Sequence, residues 1–124
     1  MFEDAIVSCY NVPMIRGVVT DSKIKEISDK IAKGFAPERI ILFGSQAWGQ
    51  TTEDSDVDLF IIKDTNERRV DRAREVRKII WGMGVPVDIL VYTPEEVKKR
   101  LLLEDFFIQD IVTKGKVLYD QAGV

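Results

Sequence analysis

Residues 40–49 read IILFGSQAWG and residues 55–62 read SDVDLFII, and these two neighbouring segments indicate the fold. Each contains a short run of apolar and β-branched side chains, which is typical of a buried strand. A glycine-serine turn follows the first run. Because successive side chains of a strand point to opposite faces of a sheet, Asp56 and Asp58 share one face while Val57, Leu59 and Ile61 face the other way. Two carboxylates fixed on one face can bind a hard metal cation.

A third acid lies in residues 85–91, VPVDILV, where Asp88 is the one charged residue in an apolar run of strand character. An ionised carboxylate in a buried strand is costly unless it is paired or bound to metal. If this strand lies beside the one that carries Asp56 and Asp58, three carboxylates converge and repel one another without a divalent cation. Such a cluster predicts phosphoryl or nucleotidyl transfer with two metal ions.

The glycine-serine turn, the Asp-x-Asp pair and the later aspartate together resemble the signature of the DNA polymerase beta-type nucleotidyltransferase superfamily. The resemblance covers about residues 22–118, and the short chain is most similar to the minimal nucleotidyltransferases. It implies an α/β (α+β) fold in which helices flank a small mixed β-sheet. The residues that carry it are Gly44, Ser45, Gly49, Ser55, Asp56, Asp58 and Asp88.

The resemblance also implies roles for these residues. Asp56, Asp58 and Asp88 would be the catalytic and metal-binding residues, holding two Mg²⁺ ions, or Mn²⁺, which oxygen ligands also suit. ATP would be the substrate, and Asp88 would help to deprotonate the attacking hydroxyl. The implied nucleotide-binding residues are Gly44, Ser45, Gly49 and Ser55.

The nucleotide-binding turn has a physical rationale and one departure from the family pattern. Glycine allows the backbone to approach a triphosphate, while a serine hydroxyl and the amides that open a helix donate to its oxygens. Many relatives carry a basic residue where this chain has Gln46 and Trp48. A neutral amide neutralises phosphate charge less well than arginine, so this departure predicts weaker nucleotide binding.

The leading hypothesis is an enzyme that moves a nucleoside monophosphate, AMP from ATP, to an acceptor hydroxyl. The chain is expected to lack the helical acceptor-holding domain of larger relatives, which predicts a separate partner or a homo-oligomer. The resemblance implies that this partner is a small helical HEPN-type toxin, with the chain as its antitoxin and a toxin tyrosine as acceptor. The alternative is a catalytically silent nucleotide-binding regulator or antitoxin that acts by binding alone.

Composition excludes several other classes. The 124 residues contain no histidine and one cysteine, which removes Ser-His-Asp and Cys-His mechanisms and an internal disulfide. The net charge of −3 does not favour nucleic acid as the main ligand, although it could be an acceptor. The sequence has no membrane-span or secretory-signal pattern, so we expect a cytoplasmic protein.

Three regions are expected along the chain: an N-terminal arm at 1–20, a nucleotidyltransferase domain at 21–119 and a tail at 120–124. In the domain, periodicity and turn residues predict helices and strands around the two quoted segments. A short helix is expected after the glycine-serine turn and runs towards Gly49. Four other helices are predicted: one capped by Asp21 or Ser22, one over Asn66–Trp81, one with Thr93 as cap and Pro94 at its first position, and one over Asp105–Lys114. Lys116–Tyr119 is predicted as a final short strand.

Two groups of side chains in the domain have competing interpretations. The basic residues of the Asn66–Trp81 helix are interpreted first as a solvated face with ion pairs, and alternatively as an anchor for a partner or for an acceptor's phosphates. The aromatic residues are interpreted as core or edge packing. They are Trp81, Phe106, Phe107 and Tyr119.

Overall fold

A four-stranded mixed sheet organises the chain, and the computed structural model describes residues 20–44 and 57–122. The strands in this part of the chain are β1 (Arg39–Phe43), β2 (Val57–Ile62), β3 (Val87–Tyr92) and β4 (Lys116–Asp120). The helices are α1 (Asp21–Phe35), α2 (Arg69–Ile79), α3 (Pro94–Leu102) and α4 (Phe106–Lys114). The predicted α/β class is confirmed, and the short helix expected after Gly44 lies outside the described residues.

The strands lie in the order β3-β2-β1-β4, so β3 and β4 form the edges. β1 is antiparallel to both β2 and β4, whereas β2 and β3 are parallel and are joined by α2. The end of β1 and the starts of β2 and β3 therefore meet on one side of the sheet, where these strands begin or end. We call this side, where Phe43 pairs with Asp58 and Asp58 with Asp88, the acidic edge.

Strand alternation divides the core into two layers. On one face, α1 and α2 pack on the sheet through side chains such as Ile31, Leu59 and Val76, each fully or almost fully buried. On the other face, α3 and α4 pack on the sheet through side chains that include Phe60 and Ile108. This alternation confirms the predicted division of β2, because Asp58 shares the second face with Phe60.

Side-chain caps fix where the helices begin. The Thr93 hydroxyl accepts from the Glu96 amide while the Glu96 carboxylate accepts from the Thr93 amide, which completes the predicted start of α3 with Pro94 in its first turn. α1 is capped by Thr20 rather than by the predicted Asp21 or Ser22. Thr20 is thus the one described residue of the predicted N-terminal arm.

The interpretation of the aromatic residues as core or edge packing is wrong for Trp81 and Phe106 and agrees with the packing of Phe107 and Tyr119. The exposed fractions of Trp81 and Phe106 are 85% and 72%, so neither side chain belongs to the core. Phe107 is half exposed but meets Phe43 edge to face, with ring centroids 5.8 Å apart, and Tyr119 is half-buried. Phe106, Phe107 and Tyr119 lie in the predicted elements, whereas Trp81 lies just beyond α2, and the sequence pattern does not show which side of each element faces the sheet.

The helices of the described ranges are at most 15 residues long. None of them, within residues 20–44 and 57–122, is both long enough and apolar enough to cross a membrane.

Candidate active site

Asp58 and Asp88 occupy equivalent positions on neighbouring parallel strands. Each is the second residue of its strand, and the register of β2 and β3 pairs them directly. Neighbouring strands lie about 4.8 Å apart, and residues paired in this way project to the same face of the sheet. The expectation that the strand with Asp88 lies beside the strand with Asp58 is therefore confirmed.

The backbone of Gly44 adjoins this pair from β1. Gly44 follows Phe43, which pairs with Asp58, and its φ of +77° lies in the left-handed region that favours glycine. A Cβ placed on Gly44 would overlap Oδ2 of Asp58 and come within 3.2 Å of its Cγ. Glycine is thus required at this position both by the turn and by the close approach of the carboxylate.

The exposure of Asp88 contradicts the expectation that this carboxylate is buried in its strand. Asp88 is exposed near the start of β3, although Ile89 and Val91 of the same strand are buried, and Asp58 is half-buried. The cost of burying a lone charge in a strand therefore does not apply to Asp88. The remaining reason to expect a cation is the repulsion between two neighbouring carboxylates, which a divalent ion relieves.

The structure describes only part of the predicted site. Gly44, Asp58 and Asp88 are brought together, whereas Ser45, Gly49, Ser55 and Asp56 lie outside the described residues. Across 20–44 and 57–122, no group of three acidic, histidine or cysteine side chains could hold a metal ion. The third acid of the predicted triad, Asp56, is not in those ranges, so the triad itself stays a prediction.

The two described carboxylates suit the metal that the fold implies. Carboxylate oxygens are the donors that Mg²⁺ takes in proteins, and Mg²⁺ commonly uses one or two carboxylates together with substrate phosphates. Asp58 and Asp88 supply such a pair at a sheet edge, where an exposed Asp88 leaves room for phosphate. The donor set therefore fits Mg²⁺ and fits Mn²⁺ by the same chemistry.

Aromatic side chains support the face on which the pair lies. Phe107 contacts Phe43 next to Gly44, and Tyr92 contacts the buried Phe60 with ring centroids 5.1 Å apart. Large rings packed against one another restrict strand and helix movement more than their area alone suggests. They connect the acidic edge to α4 at one end of the sheet and to the end of β3 at the other.

A buried arginine that the sequence analysis placed on a solvated helix face holds β3 to its neighbours. The Arg72 side chain is 7% exposed and donates to the Val91 carbonyl at 3.2 Å, to the Glu67 carbonyl at 2.7 Å and to Glu96 Oε1 at 2.9 Å. Arg72 thus joins α2, β3 and α3. The signal that could have identified it is its position four residues before the buried Val76, on the inward stripe of the helix.

The carboxylate partner of this arginine has a shifted pKa. Partial burial by itself raises the pKa of Glu96, but the hydrogen bond from Arg72, the Thr93 amide and the positive charges of Arg72 and Arg69 together bring that pKa below its ordinary value of 4.5. Glu96 is therefore ionised at neutral pH. It combines an ion pair with the capping of α3.

The fold and the acidic edge define a nucleotidyltransferase domain, and comparison with known proteins agrees. Residues 22–121 match the nucleotidyltransferase domain family, so the chain belongs to that family. A relative from Methanocaldococcus jannaschii, "Putative protein adenylyltransferase MJ1305", is 36% identical over 87 residues. That match covers 66% of this chain, which spans 58% of the relative's length.

Two solved structures share the fold. A protein of Sulfolobus solfataricus, described as a putative nucleotidyltransferase, superposes with a TM-score of 0.58 at 24% identity, over 82% of this chain and 81% of its own. A structure described as a toxin-antitoxin with AMP-PNP superposes with a TM-score of 0.53 at 24% identity, over 83% of this chain and 75% of its own. At these identities the likeness shows the fold alone.

Proposed function

We propose that the chain is a nucleotidyltransferase that moves AMP from ATP to a hydroxyl group of a protein acceptor. The observation that carries this proposal is the pairing of Asp58 with Asp88 beside the positive-φ Gly44. A relative named as a protein adenylyltransferase supports a protein acceptor. Mg²⁺, when bound by Asp58, Asp88 and Asp56, would stabilise charge on the transferring phosphorus and on pyrophosphate.

The residues of the acidic edge would position the reactants. The acceptor hydroxyl oxygen attacks the α-phosphorus, the bond from that phosphorus to the bridging oxygen breaks, and pyrophosphate leaves. Asp88 accepts the hydroxyl proton, which its exposure to an incoming acceptor allows. Gly44 and Ser45 would lie against the phosphates, because glycine leaves room for close approach of the backbone.

The partner follows from a different comparison. A structure with this fold is described as a toxin-antitoxin, which supports an antitoxin role and a separate toxin as acceptor. We propose that this toxin is a small helical HEPN-type protein and that a tyrosine supplies the hydroxyl. Adding AMP to that tyrosine would place a bulky negative charge on the toxin and so silence it.

The test follows label from α-labelled ATP to candidate partner proteins in the presence of Mg²⁺. Asp58→Asn and Asp88→Asn each remove one charge at the acidic edge, and Asp110→Asn is the matched control because Asp110 pairs only with exposed Lys114 on α4 among the described residues. Each site variant is expected to lose transfer by about 10²-fold or more, since a metal ion supplies several kcal/mol of transition-state stabilisation. ATP binding without transfer by the unmodified chain would overturn the enzyme proposal and favour a regulator that acts by binding.

A further inference from the structure

A cluster of cationic side chains surrounds an exposed tryptophan at the end of α2. Arg74, Arg77, Lys78 and Trp81 line one shallow depression of about 340 Å³. All four side chains are exposed, and the exposed fraction of Trp81 reaches 85%. We call these four residues the α2 basic face.

The charges of this face are largely uncompensated. Arg74 shares Asp71 with Arg68, at 3.4 Å and 3.1 Å respectively. Neither Arg77 nor Lys78 forms an ion pair with any residue in the described ranges. The negative end of the helix dipole favours cations in the last helical turn, which accounts for the presence of Arg77 and Lys78 there. The dipole does not account for a tryptophan that leaves its large apolar surface in water beside them.

We propose that the α2 basic face docks an acidic segment of a protein partner. Arginine side chains bind carboxylates with two parallel hydrogen bonds, and an exposed tryptophan ringed by polar groups is a typical anchor of a protein interface. The face extends about 10 Å along the helix from Arg74 to Trp81, which matches roughly three residues of an extended peptide. Two or three carboxylates around one apolar side chain would complement it.

Neighbouring acids favour a short acidic segment over a nucleic acid strand. The same helix carries Asp71 and Glu75 beside the basic face, and Glu67 precedes it. Glu75 lies so close to Glu67 that its hydrogen bond and charge raise the pKa of Glu67. A strand with a phosphate at every nucleotide would continue past the three cations and meet these carboxylates.

The α2 basic face and the carboxylates of the acidic edge lie on different surfaces, so a partner could dock without blocking the proposed reaction. α2 packs on the sheet face opposite to Asp58, but it leads through residues 82–86 into β3, whose start forms part of the acidic edge. A partner held here would lie beside the acidic edge and leave Asp58 and Asp88 accessible. The proposal therefore goes beyond nucleotidyl transfer and stands or falls without it.

The experiment measures binding of a short fluorescent peptide in which Asp and Glu alternate with Leu and Tyr, without ATP, by fluorescence anisotropy. The comparison ligands are the same peptide with Asn and Gln in place of the acids, and single-stranded oligothymidylate. The unmodified chain is expected to bind the acidic peptide about tenfold or more tightly than the neutral one, with affinity falling as salt rises. Equal binding of the two peptides, or tighter binding of the oligonucleotide, would overturn the proposal.

Variants assign that binding to the face. Arg77→Glu/Lys78→Glu and, separately, Trp81→Ala should each weaken binding of the acidic peptide about tenfold. Their matched controls on α3 are Lys98→Glu/Lys99→Glu and Leu102→Ala, which change exposed side chains and should leave the affinity unchanged. Arg77→Gln/Lys78→Gln serves if the charge reversal does not fold, as judged by circular dichroism. Equal losses in the α3 controls would show non-specific attraction and sink the proposal.

Discussion

The backbone of Gly44 packs directly against the carboxylate of Asp58. Gly44 directly follows the last residue of β1, Phe43, which pairs with Asp58 on the antiparallel strand β2, and the φ of Gly44 is +77°. No side chain fits between them, since a Cβ on Gly44 would overlap Asp58 Oδ2. The conformation of the turn and the position of a proposed metal ligand therefore depend on the same residue.

Gly44→Ala is expected to weaken Mg²⁺-dependent ATP binding by about tenfold or more, because the methyl group displaces Asp58. It also places alanine in the left-handed region, which costs about 1–2 kcal/mol of stability. Gly84→Ala is the matched control, since Gly84 has a φ of +76° and nothing within 4 Å of an added Cβ. Calorimetric titration with ATP and Mg²⁺ measures the difference, and equal affinities in the two variants would contradict a role for the Gly44–Asp58 contact.

Ala36→Gly is expected to stabilise the protein. Ala36 ends α1 with φ 52° and ψ 54°, a conformation that costs alanine about 1–2 kcal/mol and glycine very little. The greater freedom of glycine in the unfolded chain removes part of this gain, so the free energy of unfolding should rise by about 0.5–1 kcal/mol. Urea unfolding measures it against Lys33→Gly, in the exposed last turn of α1, which should lower stability by up to about 1 kcal/mol. A loss of stability in Ala36→Gly would refute the expected gain.

The order of elements could be predicted from the sequence because it depends on local patterns. The apolar runs around Phe43 and Asp58 define strands, and the Thr93-Pro94 start of α3 follows from capping chemistry alone. The pairing of Asp58 with Asp88 requires in addition that β2 and β3 be parallel neighbours in this register, which a helix between the strands favours but does not fix. The strands and the start of α3 can therefore be predicted without knowledge of the tertiary packing.

The errors concern which way a side chain faces once elements pack. The sequence predicts a solvated position for Arg72, but the residue is buried, because two of its hydrogen-bond acceptors, in Val91 and Glu96, lie 19 and 24 residues away in the chain. The sequence predicts that Trp81 packs in the core or at its edge, but the side chain is exposed, because Trp81 lies just beyond the last residue of α2, where helical spacing no longer fixes its direction. The sequence predicts a buried Asp88, but this residue is exposed near the start of β3 while Ile89 and Val91 of the same strand are buried. Long-range contacts decide all three.

Arg72→Met is expected to lower the free energy of unfolding by about 2–4 kcal/mol. The substitution keeps much of the alkyl chain but leaves the Val91 and Glu67 carbonyls and the Glu96 carboxylate without this donor. Arg74→Met is the matched control, because Arg74 is exposed on the same helix and its ion pair is worth about 0.5 kcal/mol or less. Chemical denaturation of both variants tests this, and equal losses would show that Arg72 contributes no more than a surface cation.

The lowered pKa of Glu96 predicts how the stability of the fold depends on pH. Because its pKa in the folded protein is lowered from 4.5, its ionised form stabilises the fold above about that pH, and this contribution is lost as pH falls through the lower folded pKa. Glu96→Gln should therefore be less stable than the unmodified chain at neutral pH, and the difference should shrink as the pH drops below 4.5. Urea unfolding between neutral and acidic pH measures it, with Glu95→Gln as the control because Glu95 is an exposed neighbour in the same helical turn. A difference between Glu96→Gln and the unmodified chain that stays constant across this range would mean that the lost stability comes from shape or capping rather than from the charge that Arg72 stabilises.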